Sequence, residues 1–298
     1  MKASTTNSVG LPRGDAAVRT PDLPARFVES AGIRWFVRCE GRGPVLLLLH
    51  GTGSSSASWR GLIPLLADRF TLVVPDLPGH GLSSSVPRGP SSLPVVARAA
   101  AALMQDLGLA PEFIAGHSAG AAISAQMVLA EVPAVRRLAW IAAALTPFDG
   151  VAGMVAPPLA RLLSRSALLP HVAAWRARSD AAVRRMIAST GSTLDGLGVE
   201  TYGALLRRPS HVAGALAMMA GWDLAPLNRA LPSIAAPVLL LHGDADRIVP
   251  DRQSDELAAR LMNARVERLP ALGHLAHEER PRRVAHALAS WFGADALT

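Results

Sequence analysis

The 298 residues predict an α/β architecture: a mostly parallel, doubly wound sheet interrupted by a helical insertion. Three observations predict it. Short, wholly apolar runs alternate with segments of helical periodicity, as strands buried on both faces of a parallel sheet do. The alternation stops between about Pro147 and Leu231, where helical patterns follow one another without a strand. It then resumes from Pro237 to the end. Half the residues are hydrophobic and 18% are charged, which excludes a disordered chain. Aromatics make up 4%, so the expected core is aliphatic.

In order along the chain, Met1 to Arg26 is rich in Ser, Thr, Pro and Arg and reads as a flexible leader (1–26) with no apolar targeting run. Ile33 to Glu40 alternates (Ile33, Trp35 and Val37 against Arg34 and Arg38), as expected of a half-buried edge strand. Gly41 to Pro44 is a turn, and Val45 to Leu49 a buried strand. Trp59 to Arg69 has helical spacing, Thr71 to Val74 is a strand, and Pro94 to Leu107 is an Ala-rich helix with Gly108 as its C-cap. Phe113 to Ala115, Ala119 to Leu129 and Arg137 to Ala143 read as strand, helix and strand. After the insertion come Pro237 to Leu241 (strand), Gln253 to Leu261 (helix), Arg265 to Leu269 (strand) and Pro281 to Trp291 (helix). The expected divisions are therefore 27–146 and 232–298 for the two parts of the core, with a helical insertion at 147–231.

The chemistry is concentrated at Gly116-His117-Ser118-Ala119-Gly120, a G-x-S-x-G pattern between an apolar strand and an Ala-rich helix. So sharp a strand-to-helix turn strains the serine backbone and exposes its Oγ at the carboxyl edge of the sheet, beside a helix N-terminus. A serine nucleophile needs a base, and the base an orienting acid. His274, between the last strand and the last helix, holds the position of the base. Asp246, in the loop Gly243 to Pro250, is the preferred acid; Asp244 is the runner-up and Asp149 a remote third. His277 is expected to bond locally, and His286 to be a surface or packing residue. Two N–H donors must meet the oxyanion: Ala119, and Thr52 or alternatively Gly53 in His50-Gly51-Thr52-Gly53. Gly51, Gly53, His117, Met218 and Trp222 are the candidate substrate-binding residues. His50 and His80 are expected to hold loops, and His171 or His211 to supply a polar group to the pocket. Scattered histidines and the single Cys39 speak against a metal site or a disulfide. With no phosphate-binding glycine loop, no cofactor is expected.

These motifs, in this order, resemble the α/β-hydrolase superfamily from about Arg26 to Phe292. The resemblance implies that the insertion is the family's cap over the nucleophile. A narrower likeness lies in Trp59 to Leu66, Gly116 to Ile123, Thr190 to Asp195 and His211 to Ala220, which look like the BchO group of magnesium-chelatase accessory hydrolases of bacteriochlorophyll biosynthesis. Two of these four segments fall in the insertion, where superfamily members otherwise diverge. The likeness implies a photosynthetic bacterium and a role near magnesium insertion into protoporphyrin.

The insertion itself is unusual in charge. From Val151 to Ala230 nine arginines face four acidic residues, which accounts for most of the net charge of +7. With Met154, Met186, Met218, Met219, Trp175 and Trp222 it suits an apolar substrate bearing carboxylates, such as a tetrapyrrole, or an anionic membrane surface. The remaining expectations are a soluble cytoplasmic protein with at most peripheral membrane contact, transient contact with magnesium chelatase, and no nucleic-acid partner.

Overall fold

The computed structural model describes residues 25–87, 89–130, 135–146, 166 and 168–293. Eight strands form one sheet: β1 (Ala25–Ser30), β2 (Ile33–Gly41), β3 (Val45–Leu49), β4 (Thr71–Pro75), β5 (Phe113–His117), β6 (Arg137–Ile141), β7 (Val238–Gly243) and β8 (Ala264–Leu269). Their spatial order is β1-β2-β4-β3-β5-β6-β7-β8. β1 and β2 run antiparallel to their neighbours, and the other strands are parallel. The fold class is thus the one the apolar runs predict.

Alternate residues of each central strand enter opposite cores, as the period of two requires. Leu47, Leu49, Ile114, Trp140 and Leu240 pack under α2 (Leu93–Asp106) and α3 (Ala119–Leu129). Leu46, Leu48, Ala115, Ile141 and Leu241 pack against α1 (Ile63–Leu66) and, at the chain's end, α11 (Pro281–Trp291). α3 is almost entirely buried, and its alanines let the helix axis sit close to the sheet.

Two local expectations need correction. Ile33–Gly41 is not an edge: β1 pairs outside it, in register from Ala25↔Arg38 to Ser30↔Ile33. Ala25 and Arg26 therefore belong to a strand, while the rest of the expected leader lies outside the described residues. The helix expected over Trp59–Arg69 is a 3₁₀ turn at Ser56–Trp59 followed by the four-residue α1. Pro64 causes the break, because it donates no N–H and is tolerated only in a first turn.

Between β6 and β7 the described residues are helical: α4 (Leu169–Arg176), α5 (Asp180–Ser189), α6 (Gly196–Leu206), α7 (Pro209–Gly221) and α8 (Ala225–Ala230). After β7 come α9 (Arg252–Ala258) and the single turn α10 (Ala276–Glu279). Asp149 and Met154 lie outside the described residues. No helix among the described residues is long and apolar enough to cross a membrane.

Candidate active site

The parallel strands β3, β5, β7 and β8 all end at one edge of the sheet, and the loops that leave them converge there. At the end of β5, Ser118 has φ 50° and ψ −112°, a conformation that L-residues avoid. Such a backbone costs about 1–3 kcal/mol and persists only where its surroundings enforce it. The flanking glycines are part of that enforcement. A Cβ on Gly116 would lie 2.4 Å from the carbonyl of Gly120, and one on Gly120 would lie 2.1 Å from the Leu49 oxygen. Ser118 is half-buried, at the head of α3.

His274 and Asp246 meet across two loops. The His274 Nδ1–H donates to Asp246 Oδ2 at 2.8 Å, with the Asp246 side chain wholly buried. The other carboxylate oxygen accepts from the N–H groups of Ile248 (2.7 Å) and Val249 (3.0 Å). Burial would raise the Asp246 carboxyl, but the His274 ring and these two N–H groups overcome it and hold the acid below the usual carboxylate range. Asp244 instead accepts from Ala271 N–H at 2.6 Å and so ties its own loop to the histidine loop. The His274 ring stands 4.8 Å, centroid to centroid, from the ring of His117, the residue before Ser118. The His117 Nε2–H donates to the His274 carbonyl at 2.9 Å. The paired imidazole of His274 and carboxylate of Asp246 thus lie against His117, the residue before Ser118.

The sequence matches the family described as the α/β hydrolase fold over residues 44–281. The chain belongs to the α/β-hydrolase fold family. It is 44% identical over 264 residues to the magnesium-chelatase 30 kDa subunit of Rhodobacter capsulatus, covering 87% of this chain and 91% of that one. It is 31% identical to a pimeloyl-[acyl-carrier protein] methyl ester esterase of Methylococcus capsulatus, covering 84% of this chain and 96% of the esterase. An α/β-hydrolase fold protein of Burkholderia ambifaria superposes with a TM-score of 0.77 at 25% identity, covering 91% of this chain and 99% of that one.

Within this hydrolase fold the loop after β3 lies against Ser118. A Cβ on Gly51 would fall 3.1 Å from the Ser118 Cβ and 2.8 Å from His117 Nδ1. Among the described residues no backbone carbonyl accepts from the N–H of Thr52, Gly53 or Ala119. The Thr52 hydroxyl donates to Met218 Sδ of α7 at 3.3 Å, and Met218, predicted to bind substrate, is wholly buried in the core beside that loop. Trp222, the residue after α7, packs on the core, and its buried indole N–H has no partner among the described residues. His117 is placed beneath the rim rather than in its wall: it is 2% exposed and holds the histidine loop.

The other histidines divide. The His50 Nδ1–H donates to the Gly51 carbonyl, and its Nε2 accepts from Leu77 N–H, so it holds its loop as expected. The His80 ring lies between those of His50, tilted at 5.4 Å, and His211, edge-to-face at 5.3 Å. His286 is exposed, as is His171. The expectation that His277 bonds locally is overturned. Neither of its ring nitrogens has a partner among the described residues, and it packs instead between Trp59 (4.8 Å) and His117 (4.4 Å). Its neighbours in the fold are rings rather than polar backbone groups.

Three elements support these loops, and of them only His211 was singled out by its side chain. The first is His211 on α7, which accepts from Gly81 N–H and donates to the Gly53 carbonyl at 3.1 Å, tying the insertion to the loop after β3. The second is a strap after α5. The Thr190 carbonyl accepts from both Arg247 N–H and His274 N–H, each at 3.2 Å, and Ser192 Oγ accepts from Leu275 N–H at 2.8 Å. The third is Glu279, whose two oxygens accept from Gly273 N–H and Thr193 N–H. The strap falls in the segment Thr190 to Asp195, so the narrower resemblance carried the only signal for it, whereas His211 was also expected to supply a polar group to the pocket.

Burial also sets a pH dependence. It lowers His80 to about 4, and His117 and His211 to about 3, so all three are neutral in the folded protein near neutrality. In the unfolded chain they bind protons near 6.5. The stability they leave intact above that value is therefore lost as pH falls toward their folded values. Glu278 acts in the opposite sense. Burial raises its carboxyl to about 7 despite Arg60 (2.8 Å) and the Tyr202 hydroxyl (2.7 Å), so its contribution is lost as pH rises from about 4.5 through about 7. Three histidines outweigh one glutamate. The melting temperature, followed by circular dichroism, is expected to fall steadily from pH 6.5 to about pH 4. A flat profile over that range would contradict this account.

Proposed function

We propose that this protein is a serine hydrolase that cleaves an ester-like bond in an apolar substrate, in support of bacteriochlorophyll biosynthesis near the magnesium-chelatase step. The observation that carries the reading is the strained Ser118 at the head of α3, preceded by a His117 bonded to the His274 carbonyl, with the His274 Nδ1–H held on Asp246. In the proposed reaction Ser118 Oγ attacks the substrate carbonyl while His274 Nε2 takes its proton. Asp246 keeps the ring in the Nδ1–H tautomer and stabilises the imidazolium. The N–H groups of Thr52 and Ala119 receive the oxyanion, with Gly53 as the alternative to Thr52. His274 returns the proton to the leaving oxygen, and an acyl-enzyme remains. Water, deprotonated by the same ring, then releases the acid. Gly51 and Gly53 keep the backbone close to the substrate, and Met218 and Trp222 of the proposed cap supply apolar contact. The esterase relative supports ester chemistry, and the chelatase-subunit relative supports the tetrapyrrole connection and transient contact with the chelatase.

The name of the Rhodobacter relative also favours a second reading, a non-hydrolytic accessory that binds a tetrapyrrole for the chelatase. A fluorophosphonate probe separates the two. The hydrolase reading expects covalent labelling at Ser118, abolished in Ser118→Ala. An unlabelled but folded wild type overturns it. If Ser118→Ala also supports pigment formation in cells as well as the wild type does, the accessory reading takes its place.

A further inference from the structure

The outer face of the insertion carries an apolar stripe beside a group of cations. Leu168, Val172 and Trp175 are spaced four and three residues apart, which puts them on one face of α4. They are 76%, 51% and 66% exposed, whereas Pro170 and Ala174 on the opposite face are buried. α4 packs on α7, the helix whose Met218 meets Thr52. The exposed stripe therefore lies on the solvent side of the layer that covers the site. Next to it, Trp175 shares a groove of about 430 Å³ with Arg176, Arg178 and Arg185. None of these three guanidiniums forms an ion pair among the described residues. Asp180, in the first turn of α5, is the nearby acid, and it is exposed outside that groove.

We propose that α4 and the adjoining end of α5 form a docking surface for an anionic lipid bilayer. Two complementarities on the same face argue for this occupant. A tryptophan flanked by aliphatic side chains suits the boundary between headgroups and acyl chains, and unpaired arginines beside it suit lipid phosphates. An acidic protein surface would satisfy the arginines but leave Leu168 and Val172 in water. A neutral apolar partner would bury them but leave the cations unmatched. Docked this way, the insertion faces the membrane, and the candidate site lies one helix layer behind it. The proposal does not rest on turnover at Ser118.

The test is co-sedimentation of the full-length protein with vesicles. One set is phosphatidylcholine containing phosphatidylglycerol, and the other is phosphatidylcholine alone. The expected result is binding to the anionic vesicles, weakened by salt and at least about tenfold weaker on neutral ones. Arg176→Glu/Arg178→Glu is expected to weaken anionic-vesicle binding by about tenfold or more. Trp175→Ala/Val172→Ala is expected to reduce it several-fold, because it removes apolar area without touching charge. Arg282→Glu, an exposed change on α11, serves as the charge control, and Ser118→Ala should bind as the wild type does. Because Val172, Trp175, Arg176, Arg178 and Arg282 are exposed, the melting temperatures of their variants should stay near the wild-type value, and this is measured in parallel. Absence of anionic-vesicle binding overturns the proposal in favour of an acidic protein partner. Equal binding to both vesicle types, or binding insensitive to the α4 changes, overturns it as well.

Discussion

Asp246→Asn is expected to lower kcat toward a turned-over acyl ester by about four orders of magnitude while leaving the fold almost unchanged. The argument follows from how the two carboxylate oxygens are used. Oδ1 accepts from Ile248 and Val249 N–H, and an asparagine oxygen placed there keeps both bonds and hence the loop. The amide nitrogen then takes the place of Oδ2, facing His274 Nδ1. Two N–H groups cannot share that contact, so the ring must turn over to the tautomer with its proton on Nε2. A ring protonated at Nε2 cannot take the proton of Ser118. The loss is therefore one of tautomer rather than of structure, and it should appear in kcat more than in KM. Asp244→Asn is the control. Its contact is a bond from Ala271 N–H, which an asparagine oxygen can still accept, so activity is expected to stay within about threefold. If Asp246→Asn retained activity within tenfold of wild type, or if Asp244→Asn proved the more damaging change, the assignment of the acid would fall.

The proposed roles of Ser118, Asp246 and His274 rest on residue type and on place, because each sits in a loop that follows a strand of the sheet. The strands themselves were legible for a physical reason. β3, β5 and β7 are buried on both faces, so nothing polar interrupts them. β1 was hidden because half of its residues are exposed, with Arg26, Glu29 and Ser30 around its two half-buried residues Phe27 and Val28, next to a leader rich in Ser and Pro. The helix expected after Trp59 had the right periodicity, but a single proline decided where it could begin. The support of the site was the least legible part. The groups that hold the acid and base loops together are in large measure a carbonyl, that of Thr190, and N–H groups, those of Arg247, His274 and Gly273. Every residue owns such groups, so no composition or spacing announces them. Their use is settled only when the chain is folded.

The strap's backbone role makes Gly191 the position where the smallest change should do the most damage. Its φ is +83°, and a Cβ built on it would stand 1.9 Å from the Ala245 oxygen and 3.0 Å from the Ala245 carbonyl carbon. An alanine at this φ costs about 1–2 kcal/mol, and forcing an atom into a packed backbone contact costs about 1–3 kcal/mol more. For a domain of this size Gly191→Ala should therefore lower the melting temperature by roughly 5–15 °C. The kinetic effect should exceed what lost stability explains. The strap can relieve the overlap only by moving away from Ala245, and the adjacent Thr190 carbonyl holds Arg247 N–H on the acid loop and His274 N–H on the base loop. A shift of about 1 Å there displaces the imidazole and the carboxylate together, and such misplacement costs about 100-fold in rate. Ser192→Ala separates the two effects. It leaves the buried Leu275 N–H without its acceptor, at about 1–3 kcal/mol, but does not push the strap off the acid loop. It should therefore lower the melting temperature with little loss of kcat. Assayed well below its melting temperature, Gly191→Ala is expected to show a kcat about 100-fold down, little change in KM and an altered pH profile for kcat. A kcat equal to that of the wild type under those conditions would reduce the strap to a structural connection and leave the alignment of His274 and Asp246 to their own loops.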